Sequence, residues 1–281
     1  MRIDIDTHIH TPASKCCFDP EQTVANVAER LAARGFRLIA VTDHVWVNPD
    51  IPPNSWYARH DGTELLQTVH AIRNGHFPLK VLASCEADMQ APGRYGITDE
   101  FAAQLDYVSL STDHFQLRDF VQQPSAETPA AIAETMLAFF DDAVRWGKAQ
   151  VLLHPLFPNS YERFYDDVVA SISDARFLDS LGPCAEKRIA LEINIGVLNC
   201  GLDKGAFHWE SLLRVFSLAK QAGCLFTIGS DAHNAGHFTH YDCGEDFIRR
   251  LGLTHADLHP IVRCAGNTGD DGVAVGTFRV S

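Results

Sequence analysis

Two histidines stand two residues apart near the start of the chain, in "DTHIHT" at positions 6–11. On an extended strand, His8 and His10 project to one face while Ile9 points to the other. Both imidazoles then reach the same place, and paired imidazoles suit a shared divalent metal. A lone His-x-His pair is just as much at home as partly buried polar residues at a strand end. This pair has company. Asp43 with His44, Glu86, His114, His154, Glu192, and Asp231 with His233 each fall at or just beyond the C-terminal end of a short apolar run. One histidine so placed caps a loop and one carboxylate holds an arginine; together they point to a metal site.

Histidines with carboxylates and no paired thiolates match borderline to hard divalent ions in a catalytic site, unlike the closed, cysteine-rich sites of structural zinc. The candidate ligands exceed what one ion needs. Two or three ions are therefore expected, with zinc, manganese and iron all compatible and Glu86 a natural bridge. Two ions roughly 3.5–4 Å apart can hold a hydroxide nucleophile and clamp phosphate oxygens, the arrangement for in-line phosphoester hydrolysis.

The elements that deliver these residues alternate. Apolar runs at 36–44, 79–86, 105–114, 149–155, 188–194 and 224–233 follow the first strand, and helical patterns lie near 62–75, 128–147, 161–182 and 207–222. Before the run at 36–44, Asp19 is the expected cap of a first helix that Pro20 opens and Gly35 closes. Strand and helix alternating about seven times predict a parallel sheet. If that sheet closes into a barrel, the strand C-termini converge on one rim. One exception is "VWVNPDIPPNSWYARHDG" at 45–62, where three prolines and several aromatics predict a long loop, either a functional lid or an insertion packed on itself. A single domain over 1–281 is expected.

Composition narrows the function further. Lys and Arg number 23 against 36 Asp and Glu, a net charge of −13, which disfavours a broad grip on nucleic acid or anionic membrane. A phosphorylated small molecule stays compatible, because bound cations reverse the local potential. No run approaches the roughly 18–20 apolar residues of a membrane span, and no apolar signal stretch opens the chain. A soluble cytoplasmic protein is the expectation. The eight cysteines are scattered without Cys-x-x-Cys and read as reduced residues rather than a disulfide framework.

In order and spacing, "DTHIHT", "AVTDH", the glutamate of "ASCEADM", "SLSTDH", "LLHP", "LEIN" and "IGSDAH" resemble the motifs of the polymerase and histidinol phosphatase (PHP) family, from residue 3 to about 255. The resemblance implies a distorted (β/α)7 TIM-like barrel, a di- or trinuclear centre and, usually, phosphoesterase activity. Position by position it implies His8, His10, Glu86 and Asp231 on a first ion. Glu86 would bridge to a second ion on His114 and His154, with His44 and His233 on a third. Family members with three ions commonly add a histidine soon after the first pair, where this chain reads "HTPASKCCFD". Cys16 is expected to stand in as a ligand, with Cys17 the lesser candidate.

Around these ligands, Asp43 is expected to position a histidine or handle a proton, or else to make a structural turn. Glu192 and Asn194 match the E-x-N of histidinol-phosphatase-like members, where the glutamate sits behind the ligands or near substrate. A phosphate monoester favours a bidentate arginine. Arg163 is the candidate for a catalytic part, and Arg94 and Arg118, with Asn194, for substrate binding, although surface charge is the commoner fate of arginine. His237 and His240 follow "SDAHNAG" and are expected in solvated loop.

The expected function is hydrolysis of a small phosphomonoester, histidinol phosphate or similar, by metal-held hydroxide. A phosphodiesterase or exonuclease is disfavoured by the acidic balance. A non-catalytic metal-binding regulatory domain is disfavoured by an open, nearly complete ligand set.

Overall fold

The computed structural model describes residues 1–203 and 205–263. In chain order the elements are β1 (Ile5–Ile9), α1 (Val24–Ala33), β2 (Leu38–Val41), β3 (His44–Val45), α2 (Thr63–Asn74), β4 (Lys80–Ala83), β5 (Glu86–Ala91), β6 (Arg94–Tyr95), α3 (Asp99–Ala102), β7 (Ser109–Ser111), α4 (Pro129–Trp146), β8 (Val151–Leu153), α5 (Tyr165–Ser171), α6 (Asp174–Glu186), β9 (Ala190–Asn194), α7 (Ile195–Asp203), α8 (Trp209–Ala222), β10 (Leu225–Gly229), α9 (Tyr241–Leu251) and α10 (Pro260–Arg263).

Two parallel ladders run β1-β2-β4 and β10-β9-β8-β7-β5-β3, and β6 folds back antiparallel on β5. The break between the ladders is local. Two residues separate β2 from β3 and β4 from β5, and Ser84 N–H to Val41 O (2.9 Å) and Glu86 N–H to Asp43 O (3.1 Å) carry the pairing across. At the other seam, Asp231 N–H donates to His8 O (2.8 Å) and His10 N–H to Ala232 O (3.0 Å), joining the end of β1 to the chain just after β10. Seven strand positions therefore surround one core, with helices outside. This is the parallel sheet that the strand–helix alternation predicts, closed into the α/β, distorted TIM-like barrel that the family resemblance implies.

Packing explains the helices. In α4, Thr128 caps the first turn, Pro129 opens it and Gly147, at φ 69°, ends it. Ile132, Met136, Phe139, Phe140 and Ala143 recur on the buried face at helical spacing. Two boundaries differ from expectation. Thr23, not Asp19, caps the first helix, because Asp19 to Gln22 close a turn of their own. The span 161–182 is two helices, since Ser173 adopts extended backbone and caps α6 with its hydroxyl. Among the described residues, no helix is long and apolar enough to cross a membrane.

The 45–62 segment is packed by its own aromatics. Trp46, Ile51 and Tyr57 form a buried cluster apart from the main core, with Trp46 Nε1–H donating to Ile51 O (2.8 Å). The indole lies on Gly96, where a Cβ would come within 2.4 Å of it. Trp56 packs against this cluster from the side that faces the rim.

Candidate metal centre

Glu86 begins β5 almost fully buried, and both its oxygens face imidazoles. Oε2 lies 3.2 Å from Nε2 of His8 and of His10. Asp231 Oδ1 completes this group, 3.5 Å from His8 Nε2 and 3.2 Å from His10 Nε2. On the other side, Glu86 Oε1 lies 3.2 Å from His114 Nε2 and 3.0 Å from His154 Nε2. His44 approaches from β3, its Nδ1 3.5 Å from Glu86 Oε2.

Partners behind the rings decide what the inner nitrogens offer. Glu192 Oε1 accepts from His8 Nδ1 (2.8 Å), and Asp113 accepts from His154 Nδ1 (2.8 and 2.9 Å). A carboxylate at Nδ1 selects the tautomer with its proton there. In the neutral rings, the Nε2 lone pairs of His8 and His154 then point at the Glu86 oxygens. Such contacts are favourable only with a cation, or an extra proton, between them. Burial alone would lower the His10 pKa, yet the hydrogen bonds its ring donates to Asp231 and Glu86 hold it at about 9. The Asp113 charge likewise holds His154 at about 10 against burial. His44 Nδ1 is buried and has no hydrogen-bond partner. The donor set fits divalent ions on each of these observations.

Four donor groups have all their ligand atoms within 4.8 Å of one another: His8, His10, Glu86 and Asp231; His44, Glu86 and His114; Asp113, His114 and His154; and His10, Cys16 and His44. The first matches the set that the resemblance implies for one ion. Glu86 also stands between His114 and His154. Of the residues that the resemblance implies for a third ion, His44 stands with Cys16 and His10. His233 instead stacks on His10 (4.4 Å between ring centres) and pairs Nδ1 with Asp231 O (2.9 Å). Cys17 Sγ turns away to donate to His233 O (3.1 Å). Burial, then the Glu86 and Asp231 charges, push the Cys16 thiol up, so only a bound cation would favour its thiolate.

Other expected residues take different places. Asp43 gives both oxygens to Thr11, accepting from its N–H (2.7 Å) and Oγ1 (2.6 Å), and ties two strand ends together. Glu192 lies behind His8 and also accepts from His154 N–H (2.7 Å) and Asn194 Nδ2 (3.0 Å). Asn194 is buried and its Oδ1 accepts from Val197 N–H (2.9 Å) at the start of α7. The three arginines reach outward. Arg118 and Arg163 both pair with Glu127, and Arg94 with Gln90. His237 is exposed, but it sits in a short 3-10 helix, Ala235–Thr239, rather than in loop, and its Nδ1 accepts from His233 N–H (3.2 Å).

Three residues passed over in the sequence carry part of the site. Asp88, two residues past Glu86 on β5, lies 2.5 Å from His114 Nδ1 and 3.6 Å from His44 Nδ1. The period-2 rule that singles out His8 and His10 would have found it. Asp113 directly precedes His114, and Ser14 Oγ meets His10 Nδ1 (3.0 Å) and accepts from His44 N–H (2.9 Å). His154 and Asp231 have φ of 31° and 56°. Left-handed backbone at non-glycine residues is uncommon and concentrates at functional sites.

The imidazoles open into a cavity of about 270 Å³ lined by Cys16, His44, Trp56, Glu86, His114, Gln116, Leu117, His154, Asn159, Asp231 and His233.

No family model matches the chain. A protein called "Probable phosphatase" from Shewanella piezotolerans is 26% identical over 266 residues, covering 94% of this chain and 89% of its own. Another of that name from Shewanella pealeana is 28% identical over 245 residues, covering 85% and 82%. Histidinol phosphate phosphatase from Lactococcus lactis, solved with zinc, L-histidinol and phosphate, superposes with a TM-score of 0.53 at 16% identity, over 89% of this chain and 94% of that one. That last likeness is one of fold.

Proposed function

We propose that this protein is a metal-dependent phosphatase of the PHP type, acting on a small phosphomonoester. The observation that carries the reading is Glu86, whose two oxygens face separate imidazole groups at one barrel rim. The phosphatase names of the two Shewanella relatives support it.

In this reading His8, His10, Glu86 and Asp231 hold one ion, and Glu86, His114 and His154 a second. His44 and Cys16 hold a third, with His233 beside them. When bound, such ions supply Lewis acidity toward phosphate oxygens and make water acidic enough to attack at neutral pH. The chain's own task is to hold the donors still. Glu192, Asp113, Asp88 and Ser14 fix the rings from behind, while Trp56 and Leu117 give the cavity an apolar side. Asp43 acts as a tie between strand ends. No arginine lines the cavity among the described residues, so the neutral amides of Gln116 and Asn159 are the groups left to meet substrate.

The test is metal analysis of protein purified without chelator, then a phosphomonoester panel with manganese, iron or zinc supplied. Bound transition metal with metal-dependent turnover is the expected result. No bound metal, together with no turnover after reconstitution, overturns the proposal.

A further inference from the structure

The cavity separates into two parts. His44, Glu86, His114, His154 and Asp231 line its floor and with Cys16 are among the proposed donors, with His233 beside them. The remaining lining is Trp56, Leu117, Gln116 and Asn159. None of these four side chains carries charge at any ordinary pH. Given the phosphatase reading on which this inference depends, the phosphoryl group lies on the donors, so these four face the alcohol that leaves.

We propose that this wall selects phosphomonoesters of small, uncharged alcohols, with an apolar face for Trp56 and Leu117 and a hydroxyl or amide for Gln116 and Asn159. Size is the first constraint. About 270 Å³ lies at the lower edge of ordinary ligand sites, which span roughly 300–1,000 Å³, and the phosphoryl group occupies part of it. Charge is the second. A leaving group with its own carboxylate or second phosphate finds no lysine or arginine in the lining. A leaving group with an ammonium finds only Glu86 and Asp231, both already set against histidines. Desolvating either charge without a partner is unfavourable, whereas a neutral alcohol loses nothing comparable.

The wall is also built rather than incidental. Trp56 is held edge-on to Tyr57 and His44, both at 4.8 Å, and lies over His60 at 4.2 Å between ring centres. Its backbone is fixed by Asn54 Oδ1, which accepts from Trp56 N–H (3.2 Å), and by His60 Nδ1 on Trp56 O (3.0 Å). An indole fixed in this way offers a rigid flat face at little cost in entropy. In contrast, neither side-chain amide of Gln116 and Asn159 bonds to another described residue, which leaves donors and acceptors open for a ligand. Gln116 is exposed and Asn159 half-buried at the mouth, so both amides can exchange water for a ligand's hydroxyl or amide.

The experiment compares metal-loaded protein on three sets of monoesters of similar size: neutral (phenyl phosphate, glycerol 2-phosphate), anionic (3-phosphoglycerate) and cationic (phosphoethanolamine, histidinol phosphate). Calorimetric binding of matching phosphonates is measured in parallel. The expected result is a kcat/KM at least tenfold higher for the neutral set, with the same order in phosphonate binding. Gln116→Arg should shift the preference toward the anionic esters by about tenfold. Equal or better use of the charged sets, including cation–π capture of an ammonium by Trp56, overturns the inference. So does a Gln116→Arg variant with unchanged order. Failure of the phosphatase reading looks different: no ester turns over although metal is bound, while the phosphonate ranking still reports on the wall.

Discussion

Replacing Asp113 tests whether the groups behind the imidazoles tune the centre. Asp113 is buried, touches His154 Nδ1 through both oxygens at 2.8 and 2.9 Å, and accepts from Ser111 Oγ (3.0 Å). In Asp113→Asn the amide oxygen can still accept from Nδ1, but the negative charge that makes His154 Nε2 a stronger donor is gone. Charge-assisted hydrogen bonds are about twice as strong as neutral ones. A supporting partner of this kind contributes about 10–100-fold in metal affinity, or roughly 1.4–2.7 kcal/mol. Asp113→Asn should fall near 10-fold and Asp113→Ala near 100-fold, the latter also freeing the ring to turn. The assay is competition for zinc against a chromogenic chelator, with ion stoichiometry counted at saturation. Stoichiometry should be unchanged. Affinity within twofold of the parent in both variants would refute the reasoning, and loss of a whole ion would show that Asp113 is itself a ligand.

Other consequences are as direct. Asp231→Asn keeps a residue type that tolerates the local φ of 56°, so the fold should stay intact while one ion is lost and kcat/KM falls at least about 100-fold, beyond a supporting group's effect; full ion content and turnover would remove the assignment. Gly229→Ala would place a Cβ 2.0 Å from Glu192 Oε1 and 2.5 Å from His8 Cβ. Overpacking of that kind costs about 1–3 kcal/mol, a fall in melting temperature of roughly 2–10 °C for a chain this long, and an unchanged melt would contradict it. Burial, with the Arg188 and Arg263 charges, pulls His259 from 6.5 down to about 4. Its folded pKa is below the unfolded value, so its contribution is complete above about pH 6.5 and is lost as pH falls toward 4. Denaturation midpoints should decline more steeply over that window in the parent than in His259→Gln, and parallel curves would exclude the effect.

Much of the rim was legible because each apolar run stops at the residue that does chemistry. "ALEIN", for example, buries all five positions yet carries Glu192 at its centre and ends on Asn194. What the sequence could not show is where long side chains reach. Arg118 and Arg163 occupy the anticipated loops, but Glu127, distant in sequence from Arg163, draws both outward. Pairing decided by three-dimensional neighbours also hid the role of Ser14, whereas Asp88 was readable from its i+2 spacing to Glu86 within "ASCEADM". Helices α7 and α9 went unread for a different reason. One begins directly at a strand end, within "LEINIGVLNC", so no turn residues separate the two. The other follows the loop after β10 without a side-chain cap.

The seam between β1 and the end of β10 sets an order of assembly. The first donor group draws on positions 8, 10, 86 and 231, so a chain growing from its N-terminus holds two of those donors from the start and waits for the last barrel strand to gain the fourth. Contacts of such sequence separation form late and slow the search. Ion capture by this group therefore reports barrel closure itself, and a bound ion would act as a clasp across the joint, raising the barrier to opening at the one place where the two ladders meet through the chain beyond β10 rather than through a continuous strand pair.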